Sequence, residues 1–490
     1  MSLTLRDLAV PLGLSAPAIA ITSMTLDSRH VVPGSLFIAV QGHAQDGRQF
    51  IEAALTKGAA AVLVEVDSPE LAGLARHDHR LLHVYQLPQY LSLLAGLFYG
   101  DASAQVPLIG VTGTNGKSTV TQLIANWSGL LGRPAGVMGT LGNGLYGQLA
   151  PAINTTGSAL AVQQELARQL ALGVERIAME VSSHGLHQHR VAALHFKVAV
   201  FTNLSRDHLD YHATMAEYGE AKRQLFELCP QARVINADDA VGRRWLRLYP
   251  QAIAYSLHGR LSDFAGQQII AETVHFYAHG MKVTINSDWG NGVLSAPLMG
   301  RFNVANLLAA MGALLALGES FDRLLATAPL LSGVDGRMEP FSAPNRPLVV
   351  VDYAHTPDAL EQVLQALRQH CKGQLWCLVG CGGDRDKGKR PLMAAAAELG
   401  ADVLVLTDDN PRTESAAAII ADMCQGLTAP EAVHLVHNRR QAIAFAIEQA
   451  GADDIILVAG KGHEDYQIVG SEKMHYSDRE TVAALLGLPA

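Results

Sequence analysis

The chain has 490 residues, of which 49% are hydrophobic and 17% charged, and its net charge is −9. That length suggests roughly three domains with large cores. The acidic balance, with no basic tract or basic–aromatic stripe, argues against nucleic acid as a partner. The five cysteines, Cys229, Cys371, Cys377, Cys381 and Cys424, form no Cys-x-x-Cys pair and read as reduced thiols of a cytoplasmic protein.

The first apolar run, Leu8 to Ala20, ends in Ala18-Ile19-Ala20, which mimics a signal-peptidase site. Asp7 sits beside the only early basic residue, Arg6, and Pro11 and Pro17 interrupt the run, so it reads as part of a first domain. Val31 to Val40 reads as a turn into a strand, Phe50 to Lys57 as a helix stopped by Gly58, and Ala59 to Val64 as the next strand. A boundary is expected near Asp101-Ala102-Ser103-Ala104.

The apolar run Val106-Pro107-Leu108-Ile109 then leads into Gly110-Val111-Thr112-Gly113-Thr114-Asn115-Gly116-Lys117-Ser118-Thr119 and a helix-like segment, Thr119 to Leu131, that stops at Gly132. This is the strand–loop–helix context of a phosphate-binding loop. Glycines let backbone N–H groups approach phosphate oxygens, and the new helix N-terminus favours negative charge. Lys117 can reach the β- and γ-phosphates of a nucleotide, and Ser118 can ligate Mg²⁺. The strict pattern places Gly where Val111 stands, so Gly113-Thr114-Asn115-Gly116-Lys117-Ser118 is a narrower variant.

Farther on, Ile177 to Met179 reads as a strand ending at Glu180, Lys197 to Thr202 as one ending at Asn203, and Thr214 to Leu228 as a helix. Residues 265–298 read as antiparallel strands. The apolar stretch Val304 to Gly318 is shorter than the ~20 residues a membrane helix needs and contains Asn306, so it belongs to a buried helix, Asn303 to Leu317. From Pro347 strands and helices alternate again: strands Leu348 to Asp352, Leu375 to Val379, Val403 to Leu406 and Ile455 to Val458, helices Pro357 to Gln369, Pro391 to Leu399, Ala416 to Gly426 and Asn438 to Ala450. Such alternation gives an α/β fold with parallel sheets and right-handed crossovers, whose ligands bind beyond the carboxyl ends of the strands.

Polar residues gather just there. Glu180-Val181-Ser182-Ser183-His184 follows one strand, and residues 203–212, Asn-Leu-Ser-Arg-Asp-His-Leu-Asp-Tyr-His, follow another. A carboxylate at a strand end near a phosphate loop suits Mg²⁺, which prefers oxygen ligands, and His208 can add a nitrogen or orient a phosphate. With twenty histidines in the chain, a single His there is equally well a satisfied turn residue. In the last third, Asp352-Tyr353-Ala354-His355, the basic loop Cys381 to Arg390, Asp409-Asn410-Pro411-Arg412 and Gly460-Lys461-Gly462-His463-Glu464 each follow a strand. Arg385 and Arg412 can grip carboxylates bidentately, and Glu464 can hold an ammonium.

These motifs, with Gly-Arg-Phe-Asn-Val-Ala-Asn at 300–306 and Asp-Tyr-Ala-His-Thr-Pro at 352–357, resemble the Mur ligases, the ATP-dependent amide-forming enzymes of peptidoglycan synthesis. The resemblance spans essentially the whole chain. It implies three domains: 1–102 binding the uridine of a nucleotide substrate, 103–337 as a central phosphate-loop ATPase domain on a parallel sheet, and 338–490 as a Rossmann-like domain for the incoming amino acid. Asp-Asn-Pro-Arg at 409–412 resembles the signature of the diaminopimelate-adding members. The resemblance implies cytoplasmic synthesis from UDP-MurNAc-L-Ala-D-Glu, meso-diaminopimelate and ATP with Mg²⁺, by a monomer without membrane attachment.

Residue by residue, the resemblance assigns ATP to Gly113, Thr114, Asn115, Gly116, Lys117, Ser118, Thr119, Asn303 at the adenine, Asp352 at the ribose and Arg337 facing phosphate. It assigns the UDP-sugar-peptide to Leu26, Ser28, His43, Ala44, Gln45, Asn154, Thr155, Thr156, Ser182, Gln188 and Arg190. Diaminopimelate falls to Arg385, Asp409, Asn410, Pro411, Arg412, Gly460 and Glu464. Mg²⁺ falls to Ser118, Glu180, His208 and a carbamylated Lys222, with Lys117, Lys222, His208 and Glu180 as the catalytic set. By spacing alone Lys222 is an exposed helical lysine. Carbamylation requires a neutral amine, hence burial or neighbouring cations. A lysine-adding ligase, a folylpolyglutamate synthase-like ligase and a phosphate-loop switch remain the alternatives. Arg412 argues against the first, the N-terminal hundred residues against the second, and the charged loops of the last domain against the third.

Overall fold

The computed structural model describes residues 3–42, 45–209, 211–277 and 280–488. The chain divides into two compact units: Met1–Tyr255 with Ser262–Gln267 and Ala309–Glu319, and Ser256–Leu261 with Gln268–Leu308 and Ser320–Ala490.

The first unit opens with a five-stranded sheet of β1 (Ser23–Thr25), β2 (Ser35–Ala39), β3 (Ala61–Val66), β4 (Gly73–Leu74) and β5 (Leu81–Tyr85), in the order β1-β2-β3-β5-β4. All neighbours are parallel except β4, which runs antiparallel to β5. Leu8, from the run that mimics a signal segment, and the preceding Leu5 are fully buried in the core beneath this sheet with Leu36, Ile38, Leu63 and Leu82. The helix Leu87–Tyr99, which periodicity did not single out, closes the same core through Leu87, Leu91 and Leu94.

A second sheet in this unit holds β6 (Leu108–Thr112), β7 (Ala135–Gly139), β8 (Gly142–Leu145), β9 (Gln148–Ala150), β10 (Arg176–Glu180), β11 (Phe196–Phe201), β12 (Ala232–Asn236) and β13 (Ile253–Ser256). Strand β6 lies between β10 and β11, parallel to both. All five of its residues are buried, as expected of a strand covered on both faces. Gly110 is required there: a Cβ would lie 2.7 Å from Phe196 and 2.9 Å from Leu225 of the helix packed above.

In the second unit, β14 (Gln268–Tyr277), β15 (Gly280–Ser287) and β16 (Gly290–Ala296) form the expected antiparallel ladder. They precede a six-stranded sheet of β17 (Glu339–Phe341), β18 (Leu348–Asp352), β19 (Leu375–Val379), β20 (Val403–Leu406), β21 (His434–Leu435) and β22 (Ile455–Ala459), in the order β17-β18-β22-β19-β20-β21. Only β17 is antiparallel to its neighbour. Side-chain alternation splits its core. Val350, Cys377 and Leu457 face helices Pro357–Arg368 and Lys389–Gly400, while Val349, Val351, Leu378 and Val458 face helix Arg439–Gln449. The loops after β18, β19, β20 and β22 therefore leave from the same carboxyl edge.

Candidate active site

In the first unit the phosphate loop runs from β6 into helix Lys117–Leu130, with Gly116 at the N-cap in left-handed conformation (φ 85°). Gly113 is also left-handed, and a Cβ there would collide with the Thr202 hydroxyl. The loop is fastened to the end of β11. Asn203 accepts from the Asn115 N–H through Oδ1 at 2.9 Å and from the Thr114 N–H through its carbonyl at 2.9 Å. The Thr202 hydroxyl donates to the Asn115 carbonyl at 2.6 Å. Ser118 and Thr119 occupy the first, buried turn of the helix.

Lys117 Nζ donates to the Gly113 and Thr114 carbonyls at 3.0 and 2.9 Å. Lys222 Nζ reaches the same Gly113 oxygen at 2.8 Å and lies 4.4 Å from the centre of the Tyr218 ring. Lys222 is 1% exposed, so the reading of an exposed helical lysine is corrected. Tyr218, Lys222 and Leu225 lie four and three residues apart, on the buried stripe of helix Met215–Glu227. Burial first, and the Lys117 charge second, hold the Lys222 ammonium well below the ordinary lysine range, with Asp207 opposing.

Glu180, 2% exposed, ends β10. Its Oε1 accepts from the Thr140 N–H at 2.8 Å and its Oε2 from the Thr140 hydroxyl at 3.3 Å. The predicted substrate residues gather around it. Thr155 meets Thr140 at 2.9 Å, and the Thr156 hydroxyl donates to the Glu180 carbonyl at 3.0 Å and accepts from the Ser182 N–H at 3.0 Å. Arg190 donates to the Thr156 carbonyl at 2.7 Å and to Gln188 Oε1 at 2.6 Å, and burial lowers its pKa. Asn154 is exposed just outside this cluster. Leu26 and Ser28 follow β1 and Gln45 follows β2, on the first sheet. His43 and Ala44 lie outside the described residues.

His208, in left-handed conformation (φ 53°), packs edge-on against His184 at 4.9 Å and Tyr218 at 5.9 Å. Among the described residues no three His, Cys, Asp or Glu side chains gather as a metal cage. A Mg²⁺ ion keeps several waters and shares substrate phosphates, so it needs no all-protein cage. The Glu180 carboxylate oxygens retain lone pairs beyond their bonds to Thr140, so Glu180 fits such an ion.

In the second unit, Asp352 is buried, its carboxylate accepting from the Met338 and Ala354 N–H groups at 2.7 Å each, and burial raises its pKa. Arg337 stacks 4.4 Å from the Tyr353 ring centre, and its buried Nε has no hydrogen-bond partner among the described residues. Asn303 donates to the Met299 carbonyl at 2.8 Å and accepts from Asn306 at 3.0 Å, which leaves one amide hydrogen for a ligand.

The loops after β19, β20 and β22 interlock. Arg412, left-handed (φ 53°), donates from Nη1 to the Gly383 carbonyl at 2.7 Å, while Pro411 is buried behind it. Asn410 Nδ2 donates to Glu464 Oε2 at 3.2 Å, and a Cβ on Gly460 (φ 112°) would lie 3.0 Å from Asp409. Burial raises the Glu464 pKa. Arg385 is exposed and donates to the Asp384 carbonyl at 3.3 Å. Sequence reasoning gave no role to Lys461, which is fully buried between Asp409 and Glu464, nor to Thr140, Asn203 and Tyr218. The signals available were the buried-stripe spacing of Tyr218 and the polar strand-end loops that hold Asn203 and Lys461. Thr140 acts through a contact between distant segments and carried none.

Three family models cover most of the chain: the Mur ligase family, catalytic domain, at residues 20–99, the Mur ligase middle domain at 111–314, and the Mur ligase, glutamate ligase domain at 336–462. A relative from Haemophilus influenzae strain 86-028NP, named UDP-N-acetylmuramoyl-L-alanyl-D-glutamate–2,6-diaminopimelate ligase, is 53% identical over 94% of this chain and 95% of its own length. A solved structure of a protein of that name is 37% identical with a TM-score of 0.72, covering 99% of both chains. A Mycobacterium tuberculosis folylpolyglutamate synthase complexed with ADP and AMPPCP is 19% identical, with a TM-score of 0.62 over 82% of this chain and 96% of its own, and shows the shared fold alone. With its phosphate loop and its interlocked second-unit loops, the chain belongs to the Mur ligase family of amide-forming ligases.

Proposed function

We propose that this ligase joins meso-diaminopimelate to the D-glutamate γ-carboxylate of UDP-MurNAc-L-Ala-D-Glu at the expense of ATP, in peptidoglycan precursor synthesis, acting as a cytoplasmic monomer. The names of its relatives support the reading. The observation that carries it is the loop pairing in the second unit: Arg412, aimed by the Gly383 carbonyl, stands on the loop whose Asn410 bonds Glu464. Such a site offers a cation for one carboxylate and an anion for one ammonium, which suits an amino acid with a second charged end. Segments 1–102, 103–337 and 338–490 would serve the nucleotide-peptide, ATP and the amino acid.

The reaction would proceed in two steps. The γ-carboxylate attacks the ATP γ-phosphorus, giving an acyl phosphate and ADP. The amine then attacks the acyl carbon, and the tetrahedral intermediate loses phosphate to leave the amide. Phosphoryl transfer needs positioning and charge neutralisation more than covalent help. The loop N–H groups and Lys117 would cradle the phosphates, with Thr155, Thr156, Ser182, Gln188 and Arg190 fixing the peptide. Asn303, Arg337 and Asp352 would contact the nucleoside and its phosphates. Mg²⁺, held by Ser118 and Glu180 with His208 near, would neutralise the transferring phosphoryl group. The depressed pKa of Lys222 supports carbamylation, in which the neutral amine adds CO₂ and releases a proton, providing a further carboxylate.

ADP release in a coupled assay tests the reading. It is expected only when both the nucleotide-peptide and diaminopimelate are present. ADP release without an amino acid, or equal use of lysine, would overturn it.

A further inference from the structure

Lys461 has no part in the chemistry described so far, yet it is completely buried at the junction of the two loops assigned to the amino acid. Its Nζ donates to Asn410 Oδ1 at 3.0 Å and to the Tyr466 carbonyl at 2.7 Å. It stands 3.6 Å from Glu464 and 3.8 Å from Asp409. A buried ammonium costs several kcal/mol unless it is paired and hydrogen-bonded, so this geometry is an expensive one to keep for packing alone.

The contacts on Asn410 explain what it achieves. Asn410 Oδ1 accepts from two donors that cannot accept in return, Lys461 Nζ and the Ile468 N–H, each at 3.0 Å. The amide oxygen is therefore locked inward, and Nδ2 must face Glu464. One Nδ2 hydrogen is used on Glu464 Oε2, which leaves the second for a ligand carboxylate. Without Lys461, one of the two forces fixing that orientation is gone, the amide can flip, and its oxygen would meet both Glu464 and an incoming carboxylate. The loss of the ammonium also leaves Asp409 and Glu464 to repel each other.

We infer that Lys461 is a positioning residue for amino-acid recognition, holding the Asn410 amide with its donor edge toward the substrate carboxylate and Glu464 in place as the acceptor for the substrate ammonium. This rests on the reading of these loops as the amino-acid pocket.

Steady-state kinetics of the full-length enzyme test it with three variants: Lys461→Met, Asn410→Ala and the double substitution. Lys461→Met is expected to raise the KM for diaminopimelate at least tenfold while leaving kcat at saturation, and the KM values for ATP and the nucleotide-peptide, within about threefold. Because Lys461 acts through Asn410 and also holds Glu464, the double variant is expected to lose more than Asn410→Ala alone but clearly less than the product of the two losses. Lys461→Arg, which keeps the charge but not the compact geometry, is expected to recover only part of the affinity. An unchanged KM in Lys461→Met, a fall in kcat alone, or independent multiplication of the two effects would overturn the inference. Should Lys461→Met fail to fold, Asn410→Asp keeps an acceptor for Lys461 and removes the outward donor. It is then expected to show the same selective rise in KM, and a normal KM would overturn the inference equally. A wild-type enzyme indifferent to diaminopimelate would instead defeat the pocket reading itself.

Discussion

Each unit buries one lysine beside its candidate site, and the two are treated oppositely by their neighbours. Lys222 has a backbone carbonyl and an aromatic face, with a second lysine as its main charged neighbour. Lys461 has a carbonyl, an amide oxygen and two carboxylates within 4 Å. Burial lowers both pKa values, but at Lys461 Asp409 and Glu464 pull back toward the charged form. The lesson is that burial sets the cost of the charge and the neighbours decide whether it is kept. Burial disfavours both ammonium groups, and the second lysine has two carboxylates beside it that favour the charge.

The largest effects should come from the first unit. Lys222→Met is expected to be almost inactive yet at least as thermostable as the wild type. It replaces a buried amine that no carboxylate among the described residues pairs closely with an apolar chain of similar length, removing a desolvation cost of ~1–3 kcal/mol. Short carboxylates should restore part of the activity to Lys222→Ala, and mass spectrometry should find the carbamate in the active wild type. A variant that is both active and destabilised would erase the contrast with Lys461. Lys117→Ala is expected to retain native circular dichroism and to lose ligation nearly completely, at least ~2–4 kcal/mol of transition-state stabilisation. It also removes the second cause, after burial, that lowers the Lys222 pKa.

Arg412 sharpens the second half of the comparison. Lysine lacks the distal carboxylate of diaminopimelate, so with lysine bound the guanidinium would keep only its bond to Gly383. Discrimination of roughly a thousandfold in kcat/KM is expected for the wild type. Arg412→Ala should lose most of that ratio with the KM values for ATP and nucleotide-peptide nearly unchanged. A mutant that keeps its preference would move recognition to another group, with Arg385 the next candidate.

How far the sequence could be read follows the same division. The phosphate loop is contiguous, and its strand, glycines, lysine and helix were legible to within a few residues, because local backbone requirements are written locally. Strands β18, β19, β20 and β22 were equally plain as short apolar runs. What the chain order hides is their arrangement: β22 inserts between β18 and β19, which brings Lys461 against Asn410 across 51 residues. Lys222 was misjudged on spacing alone because a lysine on a helix is exposed by default, and only the stripe of Tyr218 and Leu225 says otherwise. Glu180 was expected at its strand end, but its partner Thr140 comes from the loop between β7 and β8 and carries no motif.

The smallest expected effect concerns a half-buried base, His463, two residues beyond Lys461. It packs 5.2 Å from the Tyr353 ring, and its Nδ1 is buried with no hydrogen-bond partner among the described residues. Burial first, then the Arg337 and Arg479 charges, lower its pKa from the ordinary 6.5 to about 4, against Asp465. The folded chain therefore resists a proton that the unfolded chain accepts. Above pH 6.5 neither state carries it and the contribution to stability is complete. As the pH falls from 6.5 toward 4 the unfolded state is protonated first and stability drains away. Below about 4 both states are charged and the loss stops. The shift corresponds to at most ~3 kcal/mol. Urea unfolding of the second unit's transition across pH 4–7 should show this decline in the wild type and a flatter curve in His463→Gln. Parallel curves for the two proteins would mean that His463 titrates alike folded and unfolded. The second unit would then owe its acid sensitivity to carboxylates whose partners hold their pKa values down, such as Glu414 beside Arg390 and Asp402 beside Arg368, and not to Asp352 or Glu464. The raised pKa values of those last two act in the opposite direction, stabilising the fold as the pH falls through the folded values.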